Sequence, residues 1–239
     1  MAEPQPFIPA IQAGALVSIA ELTKTFPAGA GRTITSVDTV SLDLAPASVT
    51  AVTGPSGSGK STLLRLIGGL DRADSGVIVV NTEKVTSLPA RELPGYRRRI
   101  GLVFETDLLL PELTVLDNVR ILALNRSREA KERARKLLAT VGLAGHEDVR
   151  PDRLPPADRQ RVSIARAMFN HPGLLLADEP TGALHSAARA EIIELIVRVR
   201  DEYGVTVLLA THDPEVAVQC DRVVRLSDGR VAEDSASLA

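Results

Sequence analysis

The 239 residues contain one cysteine, Cys220, so no disulfide can form within the chain. It sits in "EVAVQCDRVVRL", an apolar-rich stretch with no partnered base, which suits a small buried hydrophobe better than a nucleophile. An excess of positive charge is also missing: 28 Lys and Arg stand against 30 Asp and Glu, for a net charge of -2 and a pI near 6.1. Binding nucleic acid through its phosphates needs the opposite balance, so no nucleic-acid partner is expected. No apolar run approaches the roughly 20 residues that cross a bilayer. "MAEPQPFIPAIQAGA" has neither the basic start nor the continuous apolar segment of a signal peptide. The chain is therefore expected in the cytosol, unless something holds it at a membrane.

With 44% hydrophobic and 24% charged residues, the composition suits one compact unit with a sizeable core. Residues 1–14 carry three prolines and no periodicity, and are expected to be a flexible lead-in to a domain spanning 15–239. "ALVSIAEL" and "VDTVSLDL" alternate apolar and polar residues as half-buried strands do, and "VTAVTG" is a short apolar strand ending at a glycine-rich loop. "KSTLLRLIGGL" has helical spacing up to Gly68 and Gly69, and "SGVIVV" resumes strand character. Residues 105–170 read as a helical subdomain: "LTVLDNVRILAL" and "SREAKERARKLLATVGL" place apolar residues three and four apart, the second with Ser127 as N-cap. From Pro172 onward, "GLLLA", "SAARAEIIELIVRVRDEYG" and "VTVLLATH" give the strand, helix, strand rhythm of a parallel sheet. Asp228 and Gly229 mark the turn of a closing hairpin.

The chemistry concentrates at three predicted strand ends. "GPSGSGKS", residues 54–61, fits G-x-x-x-x-G-K-[ST] between a strand and a helix, the context such a loop needs to wrap phosphates in backbone N–H groups. Lys60 would reach the β- and γ-phosphates, and the Ser61 hydroxyl would ligate Mg²⁺. "LLLADEP", residues 174–180, is an apolar strand ending in two acids. Asp178 can hold Mg²⁺, and Glu179 can act as general base on a water. "LLATHD", residues 208–213, ends in the same way with His212, placed to hydrogen-bond a γ-phosphate. Ligands of open α/β sheets gather at strand carboxyl ends, so these groups imply one shared site. His146 and His171 have no such setting and read as ordinary surface histidines.

These motifs, with "ADEPTGAL", "THDPEVA" and "LLPELTVLDNV", resemble the ATP-binding subunits of ABC transporters from about Ala15 to Glu233. The similarity is strongest to the lipoprotein-release and macrolide-export branch (LolD-like and MacB-like), related to FtsE. The resemblance implies an α/β P-loop NTPase (RecA-like) core with an antiparallel β-subdomain and a helical subdomain. It also implies ATP and Mg²⁺ as cofactors, and a homodimer or heterodimer of ATPase subunits. That dimer would dock on an integral membrane permease subunit at the cytoplasmic face of the cell membrane. By position, Phe26 matches the aromatic that stacks on adenine, and the family's phosphate loop maps to Gly54, Pro55, Ser56, Gly57, Ser58, Gly59, Lys60, Ser61 and Thr62. Asp178 matches the Mg²⁺ acid, Glu179 the catalytic glutamate and His212 the switch histidine. For Phe26, a place in the core is the competing reading.

Three positions depart from the family pattern. Glu105 stands where a Mg²⁺-contacting glutamine belongs, and could still ligate the metal as a carboxylate. His185 replaces an aspartate. The L-S-G-G-Q loop, which contacts the partner subunit's ATP, has become Leu154, Pro155, Pro156, Ala157 and Asp158. Proline has no N–H to donate, and Asp158 sets a negative charge toward phosphate. Two such charges about 5 Å apart repel by roughly 3 kcal/mol at an effective dielectric of 20. The expectation is an ATPase that keeps its own catalytic groups but clamps a neighbour's nucleotide poorly. Two arrangements follow: pairing with a different, intact ATPase subunit, or a slow homodimer with a regulatory or structural role. A soluble ABC protein outside transport is a third alternative.

Overall fold

The computed structural model describes residues 14–29, 31–125 and 127–238. The expected lead-in lies, except for Gly14, outside the described residues. Two sheets organise the rest. The first is antiparallel, in the order β2-β1-β4-β5, from β1 (Val17–Pro27), β2 (Thr33–Leu44), β4 (Ser75–Val80) and β5 (Glu83–Lys84). The second runs β10-β9-β3-β8-β7-β6, from β3 (Val49–Thr53), β6 (Ile100–Val103), β7 (Leu174–Asp178), β8 (Thr206–Ala210), β9 (Arg222–Ser227) and β10 (Arg230–Asp234). Its strands β9, β3, β8, β7 and β6 are parallel, and only the edge strand β10 is antiparallel. β10 returns from β9 through Asp228 and Gly229, both at positive φ (49° and 79°). The expected hairpin forms there.

The central strands are buried on both faces, which explains their unbroken apolar sequence. Leu174 and Leu176 of β7 and Leu208 and Ala210 of β8 face one core, which they share with the antiparallel sheet and α1 (Lys60–Ile67). Leu175, Ala177, Val207 and Leu209 face the other. That second core is closed by α3 (Val115–Val119), α4 (Arg128–Thr140), α5 (Pro156–Met168) and α6 (Ser186–Tyr203). The short helices α2 (Leu93–Arg97) and α7 (Pro214–Ala217) complete the set.

Residues 105–170 hold α3, α4 and α5, and Ser127 accepts from Ala130 N–H at 3.2 Å as the N-cap of α4. "LTVLDNVRILAL" is less helical than its spacing predicts: α3 gives way to a 3-10 turn at Arg120–Leu122. Ile121, Leu122 and Leu124 point outward there, 45%, 41% and 83% exposed, so no core face holds the helix further.

Candidate functional site

The spatial order β3-β8-β7-β6 sets four carboxyl ends side by side. β3 runs into the glycine-rich loop, β7 ends on Asp178, His212 follows β8, and Glu105 follows β6 by two residues. They surround a cleft of about 510 Å³ lined by Ser36, the loop residues Ser56, Gly57, Ser58, Gly59, Lys60, Ser61 and Thr62, and by Glu105, Glu179 and His212. Gly54 and Pro55 form the base of the loop.

Two glycines of the loop are there because nothing larger fits. A Cβ on Gly54 (φ 144°) would lie 2.2 Å from Leu226 O, and one on Gly59 (φ 102°) would lie 2.1 Å from Ser36 O. The loop is thus pressed between the two sheets. Gly59 is the N-cap of α1 without a side-chain cap, and the first turn carries no acid. The opening N–H groups of such a helix have no internal partner and favour an anion in front of them. The Lys60 ammonium is held by Gly54 O at 2.8 Å and Pro55 O at 3.1 Å, and lies 3.9 Å from Glu179 Oε1. Lys60 is 6% exposed, a buried charge beside the carboxylate of Glu179. A phosphate would suit it. The buried Ser58 hydroxyl has no partner and sits in the same cradle.

Ser61 Oγ donates to Asp178 Oδ1 at 2.8 Å. Burial raises the Asp178 pKa, the Ser61 hydrogen bond opposes it, and the charges of Glu179 and Glu105 add to the rise. Glu179 leaves the strand in a left-handed conformation (φ 48°), with its N–H on Ala210 O at 3.0 Å. Its Oε2 lies 2.9 Å from His212 Nδ1. Ser61 and Asp178 are the hard oxygen donors that Mg²⁺ takes. Among the described residues no three of His, Cys, Asp or Glu form a metal cluster, so phosphate oxygens and water would have to complete the shell. Glu105 borders the same cleft, its carboxylate packed so closely on Gly182 that a Cβ there would meet Oε1 at 2.9 Å.

Other sequence candidates stay apart. Phe26 is 37% exposed on β1, which removes the core reading, but it does not line the cleft, and Lys24 Nζ lies 5.2 Å from its ring centre. Cys220 is inert: burial pushes its thiol up to about 11, and it contacts Val216 O at 3.7 Å. His185 is the exposed N-cap of α6 and makes no capping bond. Ser36 was missed by sequence reasoning. It comes from β2 of the other sheet, where its hydroxyl meets Thr62 Oγ1 at 2.8 Å. Nothing local to Ser36 marks it.

Leu154–Asp158 forms the entry to α5. Pro155 is the N-cap and Pro156 the first helical residue, with no side-chain cap. A missing N–H at that position costs the helix nothing, and the fixed φ of proline suits it. Asp158 lies in the first turn, 3.6 Å from Arg161 Nε, where a carboxylate complements the helix dipole. The two prolines and Asp158 therefore suit the start of this helix.

A family model for the ABC transporter domain matches residues 37–182. The chain is 45% identical over 201 residues to the macrolide export ATP-binding/permease protein MacB of Rhodopirellula baltica, covering 82% of this chain and 29% of that protein. It is 36% identical over 223 residues to the lipoprotein-releasing system ATP-binding protein LolD of Bacteroides thetaiotaomicron, covering 92% and 100%. Among solved structures, a dimeric ATP-binding cassette in a post-hydrolysis state with ADP and Pi superimposes with a TM-score of 0.83 at 36% identity, covering 91% of this chain and 97% of that one. The chain spans about a third of the macrolide-export relatives it matches, between 29% and 35% of their length.

Proposed function

The chain belongs to the ABC transporter family, and from that premise we propose that it is the ATP-binding and ATP-hydrolysing subunit of a membrane complex with a separate permease. One observation carries the reading: Lys60, Ser61, Glu179 and His212 line a single cleft, and Asp178 is hydrogen-bonded to its rim. Lys60 and the start of α1 hold the phosphates. Ser61 and Asp178, with Glu105 beside them, would hold Mg²⁺, which would neutralise phosphate charge when bound. Glu179 takes a proton from the attacking water, and His212 holds the Glu179 carboxylate in place through Nδ1.

The subunit docks on its membrane partner at the cytoplasmic face; exposed apolar side chains at Leu108, Leu110, Ile121, Leu122 and Leu124 support docking on a partner. The names of the relatives, a macrolide exporter and a lipoprotein-releasing system, support export or extraction as the transport class. The unequal helix starts of α1 and α5 favour a dimer with a second ATPase subunit whose own loop retains its donors. A homodimer would place a poor loop over both nucleotides and turn over slowly.

Phosphate release measured for the chain alone, and for the chain with its co-purifying membrane and ATPase partners, tests this. Strong hydrolysis only in the complex is the expected result. Hydrolysis in the complex that persists unchanged with Glu179→Gln would refute the assignment.

A further inference from the structure

We propose that Asp107 and Arg159 are a positioning pair that ties the start of α5 to the loop carrying Glu105, so that the two move together when nucleotide binds. The inference rests on the nucleotide reading of the cleft.

Residues 104–110 follow β6 without regular backbone pairing, yet α5 grips them at several points. Gln160, 3% exposed, donates from Nε2 to Phe104 O at 2.9 Å. The Arg166 guanidinium donates to Asp107 O at 2.6 Å and Leu108 O at 2.7 Å, and burial lowers its pKa. Arg159, Ser163 and Arg166 share one face of the helix at spacings of four and three. Leu108 is held at φ 48°, a conformation a leucine keeps only where its surroundings enforce it. From the other side the fully buried Asn118 accepts from Leu110 N–H at 2.8 Å and donates to Leu110 O at 3.0 Å.

Arg159 differs from these contacts because it touches both segments. Its Nε lies 2.9 Å from Asp107 Oδ2, while its Nη1 donates to Leu154 O at 3.3 Å, inside the Leu154–Asp158 segment. Asp107 is fixed in turn, its Oδ1 accepting from Leu109 N–H at 3.1 Å. Gln160 and Arg166 seat the loop on the body of α5. Among the described residues, Arg159 alone joins the loop to the carbonyl of the segment that precedes the helix. The two side chains are 33% and 27% exposed, so the pair contributes little to stability and its effect is geometric. Loss of the pair leaves the loop seated and frees the segment. Coupling of this kind is established only by showing that one element responds to a ligand on the other.

Amide hydrogen exchange on the full chain, with and without Mg²⁺ and a non-hydrolysable ATP analogue, supplies that demonstration. In the wild type, exchange should slow about fivefold or more at 54–62, at 104–110 and at 153–159. Asp107→Asn and Arg159→Gln should keep the first two responses and lose the third, and Asp107→Glu should retain all three. A structural role alone would not separate the segments in this way. If Asp107→Asn unfolds, Arg159→Gln decides the matter. Slowing at 54–62 without slowing at 153–159 in the wild type overturns the proposal, as does a response at 153–159 that survives both variants. Absence of slowing at 54–62 removes the nucleotide reading, and this inference falls with it.

Discussion

Helices α1 and α5 both begin without a side-chain cap, one after Gly59 and the other after Pro155. α1 starts from glycine in a left-handed turn, with no acid in its first turn and a buried lysine at its first position. Its amides and its ammonium all ask for an anion. α5 starts from two prolines and carries Asp158 in its first turn, so it lacks two donors and has its own negative charge. A helix N-terminus is thus an anion site only while its donors are present and its dipole is not already answered. Composition of four or five residues decides which of the two it becomes.

The largest effect that could break this contrast is at Glu179. Glu179→Gln should lower phosphate release by the assembled complex about 10²- to 10⁴-fold, the usual contribution of a general base, with analogue affinity nearly unchanged. Lys60→Ala should weaken nucleotide binding by roughly 10- to 100-fold, as expected for losing a charge-assisted hydrogen bond of about 1.5–3 kcal/mol, and calorimetric titration would read it. Making α5 resemble α1 sharpens the comparison. Pro155→Ser, Pro156→Gly, Ala157→Gly and Asp158→Gln together should raise the turnover of the chain alone about tenfold or more, through restored donors. The same change should lower stability by about 1–2 kcal/mol, because glycine and the lost carboxylate weaken the helix start, and the denaturant midpoint would show it.

The smallest effect concerns Asp178. Burial, reinforced by Glu179 and Glu105 and opposed by Ser61, raises its folded pKa above 3.8. The folded chain then holds that proton more tightly than the unfolded chain, so the ionised carboxylate costs stability at pH 7. The cost fades as pH falls from the raised value toward the ordinary one. Asp178→Asn should therefore raise the Tm of the nucleotide-free chain by about 1–2 °C at pH 7, after allowance for solvent screening, and by nothing near pH 3. An unchanged Tm at neutral pH would mean that burying the ionised Asp178 carboxylate carries no cost in the folded chain.

Much of this was legible in the chain. The glycine-rich loop, the acids after "LLLA" and the histidine after "LLAT" are strand-end signals, and each lies where its own few residues indicate. The run at 115–124 misled because helical spacing shows which residues share a face, but not whether a core exists to receive it. Phe26 was carried over by position alone, and the strand that bears it leaves it outside the cleft lining. Ser36 left no trace, since its role depends on the antiparallel sheet pressing against the phosphate loop.

Local chemistry follows from short stretches of residues: an anion-seeking start for α1, a self-satisfied start for α5, and carboxylates at the ends of apolar strands. Each of these is set by dihedral preference, N–H count and charge within a turn or two of backbone. Which of them meet is a matter of the fold. The strands that follow one another as β3, β6, β7 and β8 lie in the order β3-β8-β7-β6, so Lys60, His212, Glu179 and Glu105 reach one cleft from positions up to 152 residues apart. That order follows from burying both faces of the central strands between two cores, a condition on the whole chain that no short stretch of it can express.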